Sequence, residues 1–221
     1  MAEKDEDLHG NAPDKSKIAL ILIDVINDLE FKSGKELLKY AAPMAEKIAA
    51  LKKRARQAEI PVIYVNDNFG KWQSDFNKLL AHCMEEGICG KPLAELLKPD
   101  PEDYFVLKPK HSGFFSTTLD ILLDYLHVKT LILTGLTGNI CVLFTANDAY
   151  MRDFHLVVPS DCVASNDPEE NRYALEQMKK VLKADIRPST ELDFKELEQG
   201  PDEEPMLQPQ AQKSAKSERH R

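Results

Sequence analysis

Three side chains of complementary chemistry each follow an apolar run of the sequence. Asp24 ends the run KIALILID, Lys108 ends YFVLK, and Cys141 follows TLILTG by way of a short turn that contains a second glycine. In open parallel sheets, ligands bind beyond the carboxyl ends of the strands. We therefore expect an acid, a cation and a thiol from separate parts of the chain to meet at one edge of a sheet.

These are the groups that a nucleophilic cysteine site needs. A thiol is a poor nucleophile until it ionises, and its pKa falls beside a cation or at a helix N-terminus. Lys108 and the helix beginning near Cys141 are predicted to supply both effects, while Asp24 accepts the thiol proton and returns it to the leaving group. Backbone amides of the preceding turn are expected to bind an oxyanion. Each of these residues alone also has an ordinary structural interpretation. Asp24 could cap a loop, Lys108 could be a solvated charge, and Cys141 could be a packed core thiol.

The rest of the chain alternates between apolar runs and helical patterns, which is typical of a parallel sheet covered by helices. Strands are predicted at 17–24, 61–66, 104–108, 130–135, 155–161 and in the segment ADIRP. Helices are predicted at 36–58, near KPLAELLKP, at 117–128, after Cys141, at 167–182 and from about Thr190, with Pro43 starting a second helical piece in the first of them. The expected fold is a single α/β domain with a mainly parallel six-stranded sheet and helices on both faces, a Rossmann-like three-layer sandwich.

Composition narrows the classes of function. The chain has 221 residues, 43% of them hydrophobic, and a formal net charge of −8, so one domain is expected and nucleic acid is not an expected partner. The sequence shows neither a membrane-spanning apolar segment nor a signal peptide, so we expect a cytoplasmic protein with no membrane partner. We assign 17–198 to the domain, 1–16 to a flexible N-terminal segment and 199–221 to a disordered tail.

Three segments resemble, in the same order, those of the isochorismatase-like cysteine hydrolases. They are ALILIDVINDLEF (19–31), LKPKHSGFFSTTLD (107–120) and LILTGLTGNICVLFTANDAYMRDFHLVVPSDCVAS (131–165). The resemblance runs from about Lys17 to Leu192, and it implies the isochorismatase-like fold for this chain. It also implies that Asp24, Lys108 and Cys141 match the catalytic triad of that family.

The resemblance carries further expectations for the turn before the thiol. It implies a cis peptide between Leu136 and Thr137, and an oxyanion hole formed by the amides of Thr137 and Cys141. Where the family commonly has Thr before the Asn of this turn, the sequence has Gly138. We expect this glycine either to remove a side-chain contact or to loosen the turn before Cys141.

The remaining site predictions concern a pocket and a metal. A pocket for a small-molecule substrate is predicted to be lined by Asn68, Phe69, Trp72, Phe114 and Phe115. Nicotinamidases of the superfamily carry an Asp-x-His pair and a further His after the second strand, but VNDNFGKWQSDF (65–76) contains no histidine. We therefore expect no metal of that type and no cofactor. No role is predicted for His111, Cys83, Cys89 or Cys162.

The leading hypothesis is a metal-independent cysteine hydrolase that cleaves the C–N bond of a small amide through a Cys thioester. The alternatives are an enol-ether hydrolase acting on a compound such as isochorismate, or a non-catalytic binding protein that retains the fold. A flavodoxin-like nucleotide binder ranks last, because the sequence contains neither G-x-G-x-x-G nor G-x-x-x-x-G-K-[ST]. A homo-oligomer, dimer or tetramer, is expected from the resemblance.

Overall fold

In the part of the chain that the structure describes, the sheet has six strands, all of them paired in parallel. The structure is a computed structural model that describes residues 15–68 and 75–199. The strands are β1 (Ile18–Ile23), β2 (Val62–Asp67), β3 (Tyr104–Lys108), β4 (Thr130–Leu136), β5 (His155–Val157) and β6 (Val163–Ala164). Their order is β3-β2-β1-β4-β5, and β6 also pairs with β4. The central strands β1 and β4 therefore have neighbours on both sides.

Seven helices connect or flank the strands in the part of the chain that the structure describes. They are α1 (Gly34–Gln57), α2 (Phe76–Cys83), α3 (Lys91–Leu96), α4 (Leu119–Tyr125), α5 (Leu143–Tyr150), α6 (Pro168–Leu182) and α7 (Phe194–Gln199). A π-helical turn, Gly138–Val142, leads into α5, and a 3₁₀ turn, Ser189–Glu191, precedes α7. None of these described helices has the length and apolarity needed to span a membrane.

The sheet separates two hydrophobic cores, because successive side chains of a strand point to opposite faces. Ile18, Leu20 and Leu22 of β1 lie in the first core with residues of α1, α2 and α3. Their neighbours in β1 lie in the second core with residues of α4, α5 and α6. The predicted fold class, with helices on both faces of a mainly parallel six-stranded sheet, is confirmed.

Two predicted elements differ in the structure. Helix α1 continues through Pro43 rather than starting again there. Buried residues on one face of α1 lie on both sides of the proline, from Leu37 to Ile48, and their packing holds the two halves in line. The sixth strand is the two-residue β6 rather than ADIRP, in which Asp185 makes a single bridge to Val157.

Helix α2 was not predicted, and it follows residues 69–74, which lie outside the described ranges. The flexible segment predicted at 1–16 and the tail predicted at 199–221 lie almost entirely outside them too. These two assignments, and the homo-oligomer, stay predictions.

A buried charge cluster ties α1 to the segment before β3. Lys52 Nζ lies 2.7 Å from Asp103 Oδ2 and 3.0 Å from Asp100 Oδ2, and it donates to the Tyr64 hydroxyl at 2.9 Å. Arg56 contacts the same two carboxylates at 3.1 and 3.2 Å. The side chains of Lys52 and Asp103 are 8% and 3% exposed, so each ion needs its partner.

Replacement of Lys52 by Met should therefore destabilise the fold. We expect Lys52→Met to lower the free energy of unfolding by about 3 kcal/mol, because Asp103 would lose one of its two cations in a buried site. The matched control is Lys53→Met on the exposed face of the same helix, which should change the stability by less than about 0.5 kcal/mol. Urea denaturation followed by circular dichroism measures both values, and equal effects would contradict this account.

Candidate active site

The ends of three neighbouring strands place the charged residues of the site. Asp67 and Lys108 are the last residues of β2 and β3 and lie opposite one another in the parallel register. Asp24 follows β1 directly, with a left-handed φ of 51° that Asp tolerates better than most residues. Its N–H donates to the carbonyl of Val65 at 3.0 Å, which holds it beside the end of β2.

Lys108 lies at the centre of this cluster, and its side chain is fully buried. Its Nζ is 2.8 Å from Asp24 Oδ2, 3.5 Å from Asp67 Oδ2 and 3.5 Å from Cys141 Sγ. The second oxygen of Asp24 accepts the N–H of Asp67 at 2.7 Å, and the carboxylate is close enough to Cys141 for its charge to raise the pKa of the thiol. The structure thus brings together the acid, the cation and the thiol that the sequence singled out.

The protonation of the cluster follows from its burial. Burial raises the pKa of the Cys141 thiol to about 12, and the charge of Asp24 adds to this rise while Lys108 opposes it. Burial also raises the pKa of the Asp24 carboxyl, although Lys108 counteracts part of the effect. Burial alone would lower the pKa of Lys108, but Asp24, Cys141 and Asp67 raise it overall.

The free site therefore holds a neutral thiol beside a carboxylate that is more basic than usual. The predicted lowering of the Cys141 pKa is wrong for this state, because burial and Asp24 together outweigh Lys108. Such a site ionises its thiol during the reaction rather than before it.

The chain between β4 and α5 presents the thiol. Gly135 has a φ of +111°, and a Cβ at this position would lie 2.1 Å from the carbonyl oxygen of Ile23, so only glycine allows β4 to approach β1 here. The peptide between Leu136 and Thr137 is cis, as the resemblance implied. Cys141 follows in the π-helical turn. This form of helix is rare in proteins overall, but where it occurs it is often at a functional site.

Three amides of this turn already have acceptors. The N–H groups of Ile140 and Val142 donate to the Thr137 carbonyl at 3.1 and 3.2 Å, and the N–H of Asn139 donates to Ser165 Oγ at 3.2 Å. These three amides therefore bind acceptors within the fold. The amides of Thr137 and Cys141 remain the predicted oxyanion donors.

Gly138 is packed against helix α6 rather than loosely held. A Cβ at Gly138 would lie 2.1 Å from Asn171 Oδ1. The same oxygen accepts the Ser165 hydroxyl at 3.0 Å, and Ser165 Oγ accepts the amide of Asn139. The side chain of Asn171 therefore occupies the space that a larger residue at 138 would need, and the predicted looser turn is wrong.

The residues predicted to line a pocket fall into different environments. Asn68 is buried, with its N–H donating to the Lys108 carbonyl at 3.0 Å, and Phe115 is exposed. Phe114 is 5% exposed in the second core, 6.0 Å from the Phe154 ring and under the guanidinium of Arg152 at 4.8 Å. Phe114 is thus a packing residue, contrary to the predicted pocket wall. Phe69 and Trp72 lie outside the described residues.

Two residues at the site were not singled out from the sequence. Asp67 contacts Lys108, and His111 Nδ1 lies 4.0 Å from Cys141 Sγ. Asp67 ends an apolar strand just as Lys108 does, so the same signal could have found it. His111 follows Lys108 by three residues, but sequence spacing alone does not show that this loop folds back over the thiol.

The described residues contain no group of three or more His, Cys, Asp or Glu side chains that could hold a metal ion.

Comparison with known proteins assigns the family. The family model described as the isochorismatase domain matches residues 18–186, which is more than half of the chain. The chain belongs to the isochorismatase family. It is a hydrolase of this family, in agreement with the predicted fold and the resemblance.

Among similar proteins, the uncharacterised isochorismatase family protein YaaI of Bacillus subtilis is 46% identical over 172 residues, 78% of this chain and 94% of that protein. The ureidoacrylate amidohydrolase RutB of Methylorubrum extorquens is 27% identical over 70% of this chain and 73% of its own length. Among solved structures, N-carbamoylsarcosine amidase from Thermoplasma acidophilum matches with a TM-score of 0.60 and 28% identity, covering 80% of this chain and 99% of that one.

The packing of Gly138 predicts a coupled pair of substitutions. Gly138→Ala should lower the free energy of unfolding by about 1–3 kcal/mol, since the new methyl group would collide with Asn171. In an Asn171→Ala background the same change should cost at least about 1 kcal/mol less, because the collision is removed. Thermal or urea unfolding of the four proteins measures the coupling. Strictly additive effects would contradict the contact.

Proposed function

We propose that this family hydrolase is a metal-independent cysteine amidase that cleaves the C–N bond of a small amide through a Cys141 thioester. The observation that carries the proposal is a thiol 3.5 Å from a buried cation, Lys108, which itself pairs at 2.8 Å with a buried carboxylate, Asp24. A carboxylate with a raised pKa is suited to take the thiol proton at the moment of attack.

The first half of the reaction forms the thioester. Cys141 Sγ attacks the amide carbonyl carbon while the Asp24 carboxylate accepts the thiol proton, and Lys108, 3.5 Å away, stabilises the negative charge that develops on sulfur. The carbonyl electrons move to oxygen, for which the amides of Thr137 and Cys141 are the proposed donors. When this intermediate collapses, the C–N bond breaks and the leaving nitrogen takes the proton from Asp24.

The second half releases the acid. Water attacks the thioester carbonyl carbon and gives up one proton to a base, and the C–S bond breaks when the carbonyl re-forms. The sulfur then regains a proton, so Cys141 returns to the neutral thiol of the free site. Asp24 and Lys108 end in the protonation states with which they began.

The substrate class that we propose is a small primary amide or ureido compound. Two similar proteins support it, because the names ureidoacrylate amidohydrolase and N-carbamoylsarcosine amidase both specify a carbonyl bonded to nitrogen. Asn68 and Phe115, which lie next to the Lys108 segment, are the described residues that we propose for substrate contact. Phe69 and Trp72 are proposed with them from the sequence.

An ammonia-release assay tests this proposal. Wild-type protein should release ammonia from at least one member of a panel of primary carboxamides and N-carbamoyl amino acids. Cys141→Ala and Asp24→Asn should each reduce kcat/KM by at least about 10²-fold, because the nucleophile or its base is lost. The matched control is Cys89→Ala, since Cys89 is a partly buried thiol outside the cluster.

Other results would contradict the proposal. Full activity of Cys141→Ala would exclude the thioester route. Consumption of isochorismate by both the wild type and Cys141→Ala, with no ammonia from any amide, would favour the enol-ether alternative, in which the thiol need not be the nucleophile.

A further inference from the structure

His111 adds a further group to the cluster of Asp24, Asp67, Lys108 and Cys141, on the exposed side of the thiol. Its Nδ1 lies 4.0 Å from Cys141 Sγ, and its side chain is exposed, whereas Asp24 and Lys108 are 6% and 0% exposed. The thiol thus lies within 4.0 Å of both a buried cation, Lys108, and an exposed imidazole. Water that attacks a thioester at Cys141 has to arrive from the exposed side.

The loop that carries His111 is hydrogen-bonded to α5, the helix that directly follows the Cys141 turn. The next residue, Ser112, hydrogen-bonds the Asp148 carboxylate of α5 through its hydroxyl. The Gly113 N–H donates to Thr145 Oγ1 at 3.0 Å, and the Thr145 hydroxyl donates to the Cys141 carbonyl at 2.7 Å. One threonine therefore bridges the His111 loop to the nucleophile, which fixes the distance between them.

The imidazole ring is also held by packing. The centroid of the His111 ring lies 5.4 Å from that of Phe144, with the planes inclined at 56°. An aromatic contact of this geometry restricts the ring orientation. His111 is thus positioned by neighbours on both its backbone and its ring, although it is exposed.

Asp24 lies in the buried part of the site, 6% exposed, where one oxygen accepts the amide of Asp67 at 2.7 Å and the other pairs with Lys108 at 2.8 Å. The hydrolytic water arrives from solvent, where the exposed His111 lies. We propose that His111 is the base for the hydrolytic water, while Asp24 serves the thiol and the leaving nitrogen. This inference rests on the proposed function, because it requires a thioester at Cys141.

The step balances without an added reactant. The water oxygen bonds to the thioester carbonyl carbon and one water proton passes to Nδ1 of neutral His111, which then carries a positive charge. The carbonyl re-forms, the C–S bond breaks and the electron pair stays on sulfur. His111 then gives its proton to the Cys141 thiolate, so the products are a carboxylic acid, a neutral thiol and a neutral imidazole.

The test uses p-nitrophenyl acetate, an ester that acylates thiols and reports each acylation by its absorbance. We expect wild-type protein to show a Cys141-dependent burst of p-nitrophenolate, followed by steady turnover. His111→Gln should keep the burst and lose at least about tenfold of the steady rate, because acylation is intact and thioester hydrolysis has lost its base. Hydroxylamine attacks thioesters without a base, so it should restore the steady rate of this variant.

The controls separate the two proposals. His155→Gln removes an exposed imidazole elsewhere in the chain and should match the wild type. If His111→Gln keeps a steady rate within about twofold of His155→Gln, or loses burst and steady rate together without rescue by hydroxylamine, His111 is not this base, while the proposed function stands. If the wild type gives no burst beyond that of Cys141→Ala, the thioester route itself fails, and the role of His111 fails with it.

Discussion

The buried ion pair between Lys108 and Asp24 determines how the rest of the site is arranged. A lysine with a fully buried side chain is tolerated only beside negative charge, and Asp24 at 2.8 Å and Asp67 at 3.5 Å supply it. Because Lys108 binds one oxygen of Asp24 and the amide of Asp67 binds the other, the carboxylate has a fixed orientation. Cys141 Sγ lies 3.5 Å from Lys108 Nζ, and the charge of Asp24 helps to raise the pKa of the thiol, so the protonation of the thiol depends on that of the carboxylate.

The parallel sheet makes this pair possible, and the chain after β4 completes it. Parallel register brings the ends of β1, β2 and β3 to one edge, so residues far apart in sequence become neighbours. The close approach of β4 to β1 at Gly135 allows the next turn to carry the thiol to the same edge. Asn171 and Ser165 then support that turn from α6. The site thus depends on tertiary contacts from both halves of the chain.

The sequence alone was sufficient to predict the architecture and the three central residues of the site, Asp24, Lys108 and Cys141. Other features of the structure could not be predicted from it, for physical reasons. Strand ends are marked by the loss of apolar character, so Asp24 and Lys108 could be found. The two-residue strand β6 and the single bridge at Asp185 are too short to leave a periodic pattern. The pKa of Cys141 depends on depth of burial, and spacing does not report burial. The position of His111 over the thiol depends on hydrogen bonds between its loop and α5, which only the folded chain shows.

The measurement that tests the account most directly is the ionisation of Cys141 itself, followed by thiolate absorbance near 240 nm as the difference between wild type and Cys141→Ser. We predict no thiolate signal at neutral pH and a rise only in the alkaline range, since burial and Asp24 raise the thiol pKa to about 12. In Asp24→Asn the rise should move to lower pH, because one cause of the raised pKa is removed. A full thiolate signal at neutral pH in the wild type, or no change in Asp24→Asn, would contradict the claim that Asp24 holds and then deprotonates a neutral thiol.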